Sequence, residues 1–124
     1  MAVAVVFVVV LAGLGVFQLA LACGAPLGRF AWGGQHAGVL PVPLRIGSAC
    51  ALPLYAAFAV AILDRAGAID VVSDGVARVG VWIVVAFMGI GIVMNAISPS
   101  KPERYTMTPV TVLLTATSLP VALG

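Results

Sequence analysis

Charged residues are the scarcest feature of this chain. Only 8% of its 124 residues are Asp, Glu, Lys or Arg, whereas 63% are hydrophobic and the mean hydropathy is +1.23. A water-soluble domain needs charged side chains over about a quarter of its surface. The composition therefore excludes a soluble protein, and several apolar runs reach the ~20 residues with which a helix crosses a bilayer. The sequence predicts an integral membrane protein.

Residues for catalysis and metal binding are equally scarce. The chain has one His, and its two cysteines do not form a C-x-x-C pair, so neither a zinc site nor a haem attachment site is predicted. Apart from Arg45 at the start of the second, the predicted spans hold no Asp, Glu, Lys, Arg or His. This leaves no catalytic constellation and no carboxylate of the kind a small multidrug exporter needs. The net charge of +2 does not favour nucleic-acid binding. We predict no enzyme, no cofactor and no metal.

The first apolar run and the two cysteines leave alternatives open. The run over residues 2–22 ends Leu-Ala-Leu-Ala before Cys23, which suits a signal peptide or a lipidated cysteine. No Lys or Arg follows Met1, however, and the run exceeds the usual apolar core of about 7–15 residues, so a retained helix is favoured. Cys23 and Cys50 are predicted to be small apolar fillers, although a disulfide between them is geometrically possible.

The apolar runs predict one domain, residues 1–124, folded as an all-α bundle of four transmembrane helices. The predicted spans are residues 2–22, 44–63, 79–97 and 106–123. Helical spacing also predicts a short interfacial helix over residues 69–79. Small residues every four positions in the second span predict a helix-packing ridge, made of Ala49, Pro53, Ala57 and Ala61.

The first connection, residues 23–44, is rich in Gly and Pro and cannot form a regular spanning helix. Its apolar residues predict an interfacial cap, with Trp32 at the level of the lipid headgroups.

Five segments carry a resemblance to a known family: PLGRFAWGGQH (26–36), LRIGS (44–48), MNAIS (94–98), KPER (101–104) and TPV (108–110). They resemble an uncharacterised family of small bacterial four-helix integral membrane proteins. The resemblance implies four spans and a bacterial plasma membrane. It implies no activity and no functional residues.

Basic residues predict the orientation. With four spans, the first and third connections share one side of the membrane, and that side holds Arg29, Arg45, Lys101 and Arg104. The other side holds only Arg65 and Arg78. Because Lys and Arg are enriched in cytoplasmic connections, both termini are predicted to lie outside. Arg45, Lys101 and Arg104 are interpreted as topology anchors or as ligands of a lipid phosphate.

Polar residues within the spans concentrate in the half of the bundle nearest the first connection. Because a polar group in hydrocarbon needs a partner, these side chains are predicted to face one another. One interpretation is a vestibule for a small polar or anionic ligand, lined by Gln18, Tyr55, Asn95 and Thr111 and roofed by Arg29, Trp32, Gln35 and His36. The other is that they only join helices, with Ser and Thr bonding their own backbone.

Two functions follow from these interpretations. The leading hypothesis is a non-enzymatic membrane protein that binds or passes a small polar or anionic solute. The alternative is a structural or accessory subunit that binds lipid or another membrane protein. Predicted partners are membrane lipids and a second copy or another membrane protein, without nucleic acid. The apolar outer half of the first span favours a dead-end pocket or a purely structural role over a channel.

Overall fold

The computed structural model describes all 124 residues, and its regular elements are all helical. Four long helices follow one another along the chain: α1 (Ala2–Ala22), α2 (Val42–Arg65), α3 (Asp74–Ala96) and α4 (Lys101–Leu123). All four are long and apolar enough to cross a membrane. This confirms the predicted four-helix membrane bundle and indicates a multi-pass membrane protein.

The helices pack in a ring in chain order. Each helix contacts the next one, and α4 returns to α1, whereas α2 and α4 meet only slightly across the diagonal. Residues 23–41, here called the cap, hold two short 3-10 turns, Gly28–Phe30 and Trp32–Gly34, which contact α4. The cap therefore packs on the bundle as predicted, and it marks one end of it.

Two helices, α3 and α4, begin five residues earlier than predicted, and α2 begins two residues earlier. No separate interfacial helix forms over residues 69–79, because Ser73 caps α3 by accepting the N–H of Val76 at 3.2 Å, and α3 begins at Asp74. Likewise α4 begins at Lys101, within the segment that was predicted to be the third connection. Here Ser100 is the N-cap, and Pro in the first turn is compatible with a helix because no intrahelical N–H bond is lost there.

The apolar core fills the half of the bundle away from the cap. Its largest cluster joins the first half of α1, the second halves of α2 and α4, and the first half of α3. Its members are Ala4, Phe7, Leu11, Phe58, Ile62, Val81, Val84, Met88, Leu114, Val121 and Ala122. A smaller cluster of Leu21, Ala31 and Leu40 joins the end of α1 to the cap. The bundle is thus closely packed at the end away from the cap, whereas Gln18, Tyr55 and Asn95 lie in the half nearer the cap.

The small-residue ridge on α2 does not mediate packing within the chain. Ala49, Pro53 and Ala57 are exposed, and only Ala61 lies at a helix interface, where it meets Gly80 of α3. The predicted packing role of the ridge is wrong for the single chain, because spacing alone does not say which face of a helix points inward.

Candidate functional site

A partly open cavity of about 220 Å³ lies between the cap and the polar half of the bundle. All four helices contribute one of the predicted polar residues to its lining: Gln18, Tyr55, Asn95 and Thr111. Aromatic side chains supply much of the remaining wall: Phe17, Phe30, Trp32 and Phe87. We call this space the inner cavity. The structure therefore brings together the residues that the sequence placed in the vestibule lining.

Two hydrogen bonds join these polar side chains in pairs. The Gln18 amide nitrogen donates to the Tyr55 hydroxyl at 3.3 Å, linking α1 to α2. The Asn95 amide nitrogen lies 3.4 Å from the Thr111 hydroxyl oxygen, linking α3 to α4. The Gln18 carbonyl oxygen is buried and has no partner. An unmet buried acceptor costs about 1–3 kcal/mol, so this oxygen is an unsatisfied group within a residue that lines the cavity.

The hydroxyl stripe of α4 serves its own helix. Thr111, Thr115 and Thr117 each donate to the carbonyl oxygen four residues earlier, at 2.8–2.9 Å. Ser118 donates to the carbonyl three residues earlier at 3.1 Å. Among these, Thr111 alone also has a cross-helix partner, Asn95. The Thr108 hydroxyl on the same helix is buried and has no partner. The interpretation that Ser and Thr bond their own backbone therefore holds for the other four side chains and not for Thr108.

Trp32 closes the cap against α2. Its indole N–H donates to the Ser48 hydroxyl at 3.1 Å, and its ring lies directly over Gly47, where an added Cβ would come within 2.7 Å of the ring. Trp32 has φ +53°, and Gly33 and Gly34 follow at +72° and +68°. A left-handed backbone is costly for a bulky residue, so the contacts of the ring must hold this conformation. Trp32 is a packed element of the cap as well as a half-exposed interfacial residue.

Glu103 holds the cap to α4. Its side chain is 6% exposed, and its Oε2 accepts the backbone N–H of Gly33 at 3.3 Å. One turn earlier the Ser100 hydroxyl donates to the carbonyl oxygen of Arg29. Glu103 also lines the inner cavity, where it is the one charged residue. Sequence reasoning missed it because α4 was started too late; the Ser-x-x-Glu capping signature at residues 100–103 was the available signal.

The rest of the predicted roof lies outside the inner cavity. Arg29, Gln35 and His36 are exposed, and the Arg29 guanidinium lies 5.5 Å from the centre of the Phe30 ring. Gln35 instead lines a second, outer cavity of about 470 Å³, which shares Trp32, Asn95 and Glu103 with the inner one. These three residues therefore lie where the two cavities adjoin.

Two of the predicted anchors cap the ends of preceding helices. Arg45 donates from Nε to the carbonyl of Ala22, the last residue of α1, at 3.1 Å. Arg104 donates in the same way to the carbonyl of Ser98, just after α3, at 3.2 Å. A cation at a helix C-terminus is favourable because it meets unpaired carbonyls and the negative end of the helix dipole. Lys101 is exposed at the same end of the bundle.

The cysteines are free and exposed, so no disulfide forms between them and neither is a buried filler. The structure contains no group of three or more His, Cys, Asp or Glu placed to hold a metal ion.

The chain matches no known protein-family model, no curated protein and no solved structure. The resemblance of its five segments to a bacterial membrane family thus stays a prediction, and function has to be argued from the cavity itself.

Proposed function

We propose that the protein binds a small polar solute in the inner cavity, with the cap as its cover. The observation that carries this proposal is a cavity of about 220 Å³ lined by at least one polar side chain from each helix. A gap between helices that served packing alone would be filled by apolar side chains, as the other half of the bundle is. Polar groups converging in a mostly apolar cavity are typical of a ligand site.

Binding is favoured over passage because the far half of the bundle is closed. The cluster of apolar residues there includes Phe7, Leu11 and Ile62, which are at most 3% exposed. A solute path through both leaflets would need polar groups along its whole length. The cavity is therefore proposed as a dead-end site that opens at the cap.

The proposed setting is a bacterial plasma membrane with both termini outside. The structure supports a common side for the first and third connections, since Ser100 bonds the cap at Arg29. Labelling with an impermeant maleimide tests the orientation. A chain without its own cysteines carries either Ala37→Cys in the cap or Ala68→Cys in the second connection, and both positions are exposed. Labelling at position 68 alone is expected, and labelling at position 37 alone would reverse the orientation.

A structural or accessory subunit is the second candidate. It is favoured by the ridge of Ala49, Pro53 and Ala57, which is exposed on α2 although small residues are typical of helix contacts in membranes. A second copy or another membrane protein would cover that ridge.

Fluorescence tests the proposed function. Trp82 lies near the opposite end of the bundle, so the variant Trp82→Phe leaves Trp32 as the sole indole, at the cavity wall. In nanodiscs, benzyl alcohol and benzamide are expected to change Trp32 emission saturably. Asn95→Leu should weaken binding at least about tenfold, whereas the exposed neighbour Met94→Leu should not. Absence of saturable binding, or equal binding in both variants, would favour the structural candidate.

A liposome assay separates binding from passage. Vesicles with and without the protein should release an entrapped small amide at equal rates if the site is a dead end. Faster release that Asn95→Leu abolishes would show passage instead.

A further inference from the structure

The inner cavity contains an unbalanced negative charge. Glu103 is 6% exposed, and its Oε2 accepts one backbone N–H, whereas its Oε1 forms no hydrogen bond within the chain. Oε1 is not fully enclosed and so keeps some accessible surface, and Glu103 lines both the inner and the outer cavity. A carboxylate removed from water is unfavourable unless a cation or several donors compensate it.

The cations nearest to Glu103 in the chain and the cap have other partners. Arg104 donates to the carbonyl of Ser98, and Arg29 lies over the Phe30 ring. Lys101 is exposed, and no Lys, Arg or His lines the inner cavity. The charge of Glu103 is therefore left for a ligand to neutralise. An anionic solute would meet this carboxylate with no cation to offset it.

The walls suit an organic cation. Phe17, Phe30, Trp32, Tyr55 and Phe87 line the same cavity, and the faces of aromatic rings attract ammonium groups. A primary ammonium also has three N–H donors, and the Oε1 of Glu103 is free to accept one of them.

Size restricts the ligand. The inner cavity of about 220 Å³ is moderately larger than the ~150 Å³ cavity known to hold benzene. A single ring with a short ammonium arm fills it, whereas a drug-sized molecule of several rings does not.

We propose that the inner cavity selects a small organic ammonium ion, with Glu103 as its counter-ion and the aromatic walls holding its apolar part. This inference rests on the proposed function and names the ligand class of the same site. It replaces the anionic preference that the basic connections favoured, because no basic side chain lines the inner cavity whereas Glu103 does.

Three probes of nearly equal size and different charge test the proposal: benzylammonium, benzyl alcohol and benzoate. The full-length Trp82→Phe chain in nanodiscs is titrated with each, with Trp32 emission as the signal. Benzylammonium is expected to bind at least about tenfold more tightly than benzyl alcohol, and benzoate most weakly. Trp32→Phe, which keeps only Trp82, reports the signal caused by partition of a probe into lipid.

Substitution at Glu103 identifies the source of the preference. Glu103→Gln keeps an acceptor for the Gly33 N–H, so benzyl alcohol should bind as before while the preference for benzylammonium disappears. Asp64→Asn changes the other carboxylate buried in the bundle, which lies at the opposite end, and should keep the preference. If Glu103→Gln does not fold, Glu103→Asp should retain the preference, and its loss there, with benzyl alcohol still bound, overturns the proposal.

The outcomes separate the two proposals. If benzyl alcohol binds but benzylammonium binds no better, or if the preference survives Glu103→Gln, the ligand class is wrong and the binding function stands. If no probe binds saturably to the Trp82→Phe chain, both proposals fall.

Discussion

Replacing Gly47 by alanine disturbs the cap from the side of α2. In the structure the Trp32 ring lies over this glycine, and a Cβ would sit 2.7 Å from Cζ2 and 2.8 Å from Cη2 of the ring. Carbon atoms in good contact are about 3.5–4.0 Å apart. The ring must therefore retreat by about 1 Å, which stretches or breaks its hydrogen bond to Ser48, now 3.1 Å long.

The energetic cost follows from three contributions. Overpacking costs about 1–3 kcal/mol, and loss of the indole hydrogen bond costs about 0.5–1.5 kcal/mol. Alanine offsets about 1 kcal/mol of this because it is the better helix former. We expect Gly47→Ala to lower the free energy of unfolding by about 1–3 kcal/mol.

A matched substitution isolates the contact. A Cβ at Gly89, in the middle of α3, would meet no atom within 4 Å, so Gly89→Ala should instead stabilise by up to about 1 kcal/mol. Unfolding by SDS in mixed micelles, followed by circular dichroism, measures both. In the Trp82→Phe background, Gly47→Ala should also shift Trp32 emission to longer wavelength. Equal stability of the two alanine variants would refute the packing of Trp32 on α2.

Three further substitutions test separate contacts in the same unfolding assay. Asp64→Ala removes the carboxylate that accepts two backbone N–H groups of the second connection, at 2.8 and 3.0 Å. It should lower the free energy of unfolding by about 1.5–3 kcal/mol. The control Asp70→Ala, at an exposed carboxylate, should change that free energy by less than about 0.5 kcal/mol. Ser100→Ala removes the N-terminal capping side chain of α4 and the hydrogen bond from Ser100 to residues 23–41, and should cost about 1.5–2.5 kcal/mol. A cost near zero would mean that residues 23–41 do not depend on the bond from Ser100. Thr115→Val removes only a bond to its own helix and should cost less than about 0.6 kcal/mol, so a larger loss would contradict its local role.

The sequence predicts the helices well where hydrophobicity alone determines them. The bounds of α1, residues 2–22, agree with the structure because an uninterrupted apolar run has few alternatives in a membrane. The start of α4 was misplaced by about five residues because Pro102 and its polar neighbours were interpreted as a turn. The capping serine and a proline in the first turn in fact begin a helix there.

The polar lining of the inner cavity could be predicted from the sequence, whereas the position of Glu103 could not. Gln18, Tyr55, Asn95 and Thr111 could be assigned to one interior because polar groups in hydrocarbon must meet one another. Glu103 could not, since its position depends on how the cap folds back over α4. That fold requires three consecutive left-handed residues, one of them Trp32, and no hydrophobic pattern encodes such a turn.

The bonds between the cap and α4 make completion of the site a late event in synthesis. Gly33 and Glu103 are 70 positions apart, and Arg29 and Ser100 are 71. The cap therefore leaves the ribosome well before the helix that secures it, and contacts of such long range form only after the intervening segments are in place. Until α4 inserts, the cavity lacks one wall and the cap lacks two of its bonds. A chain stalled in the membrane with three helices would therefore be unable to retain a ligand, and it would present Trp32 on an unsecured loop.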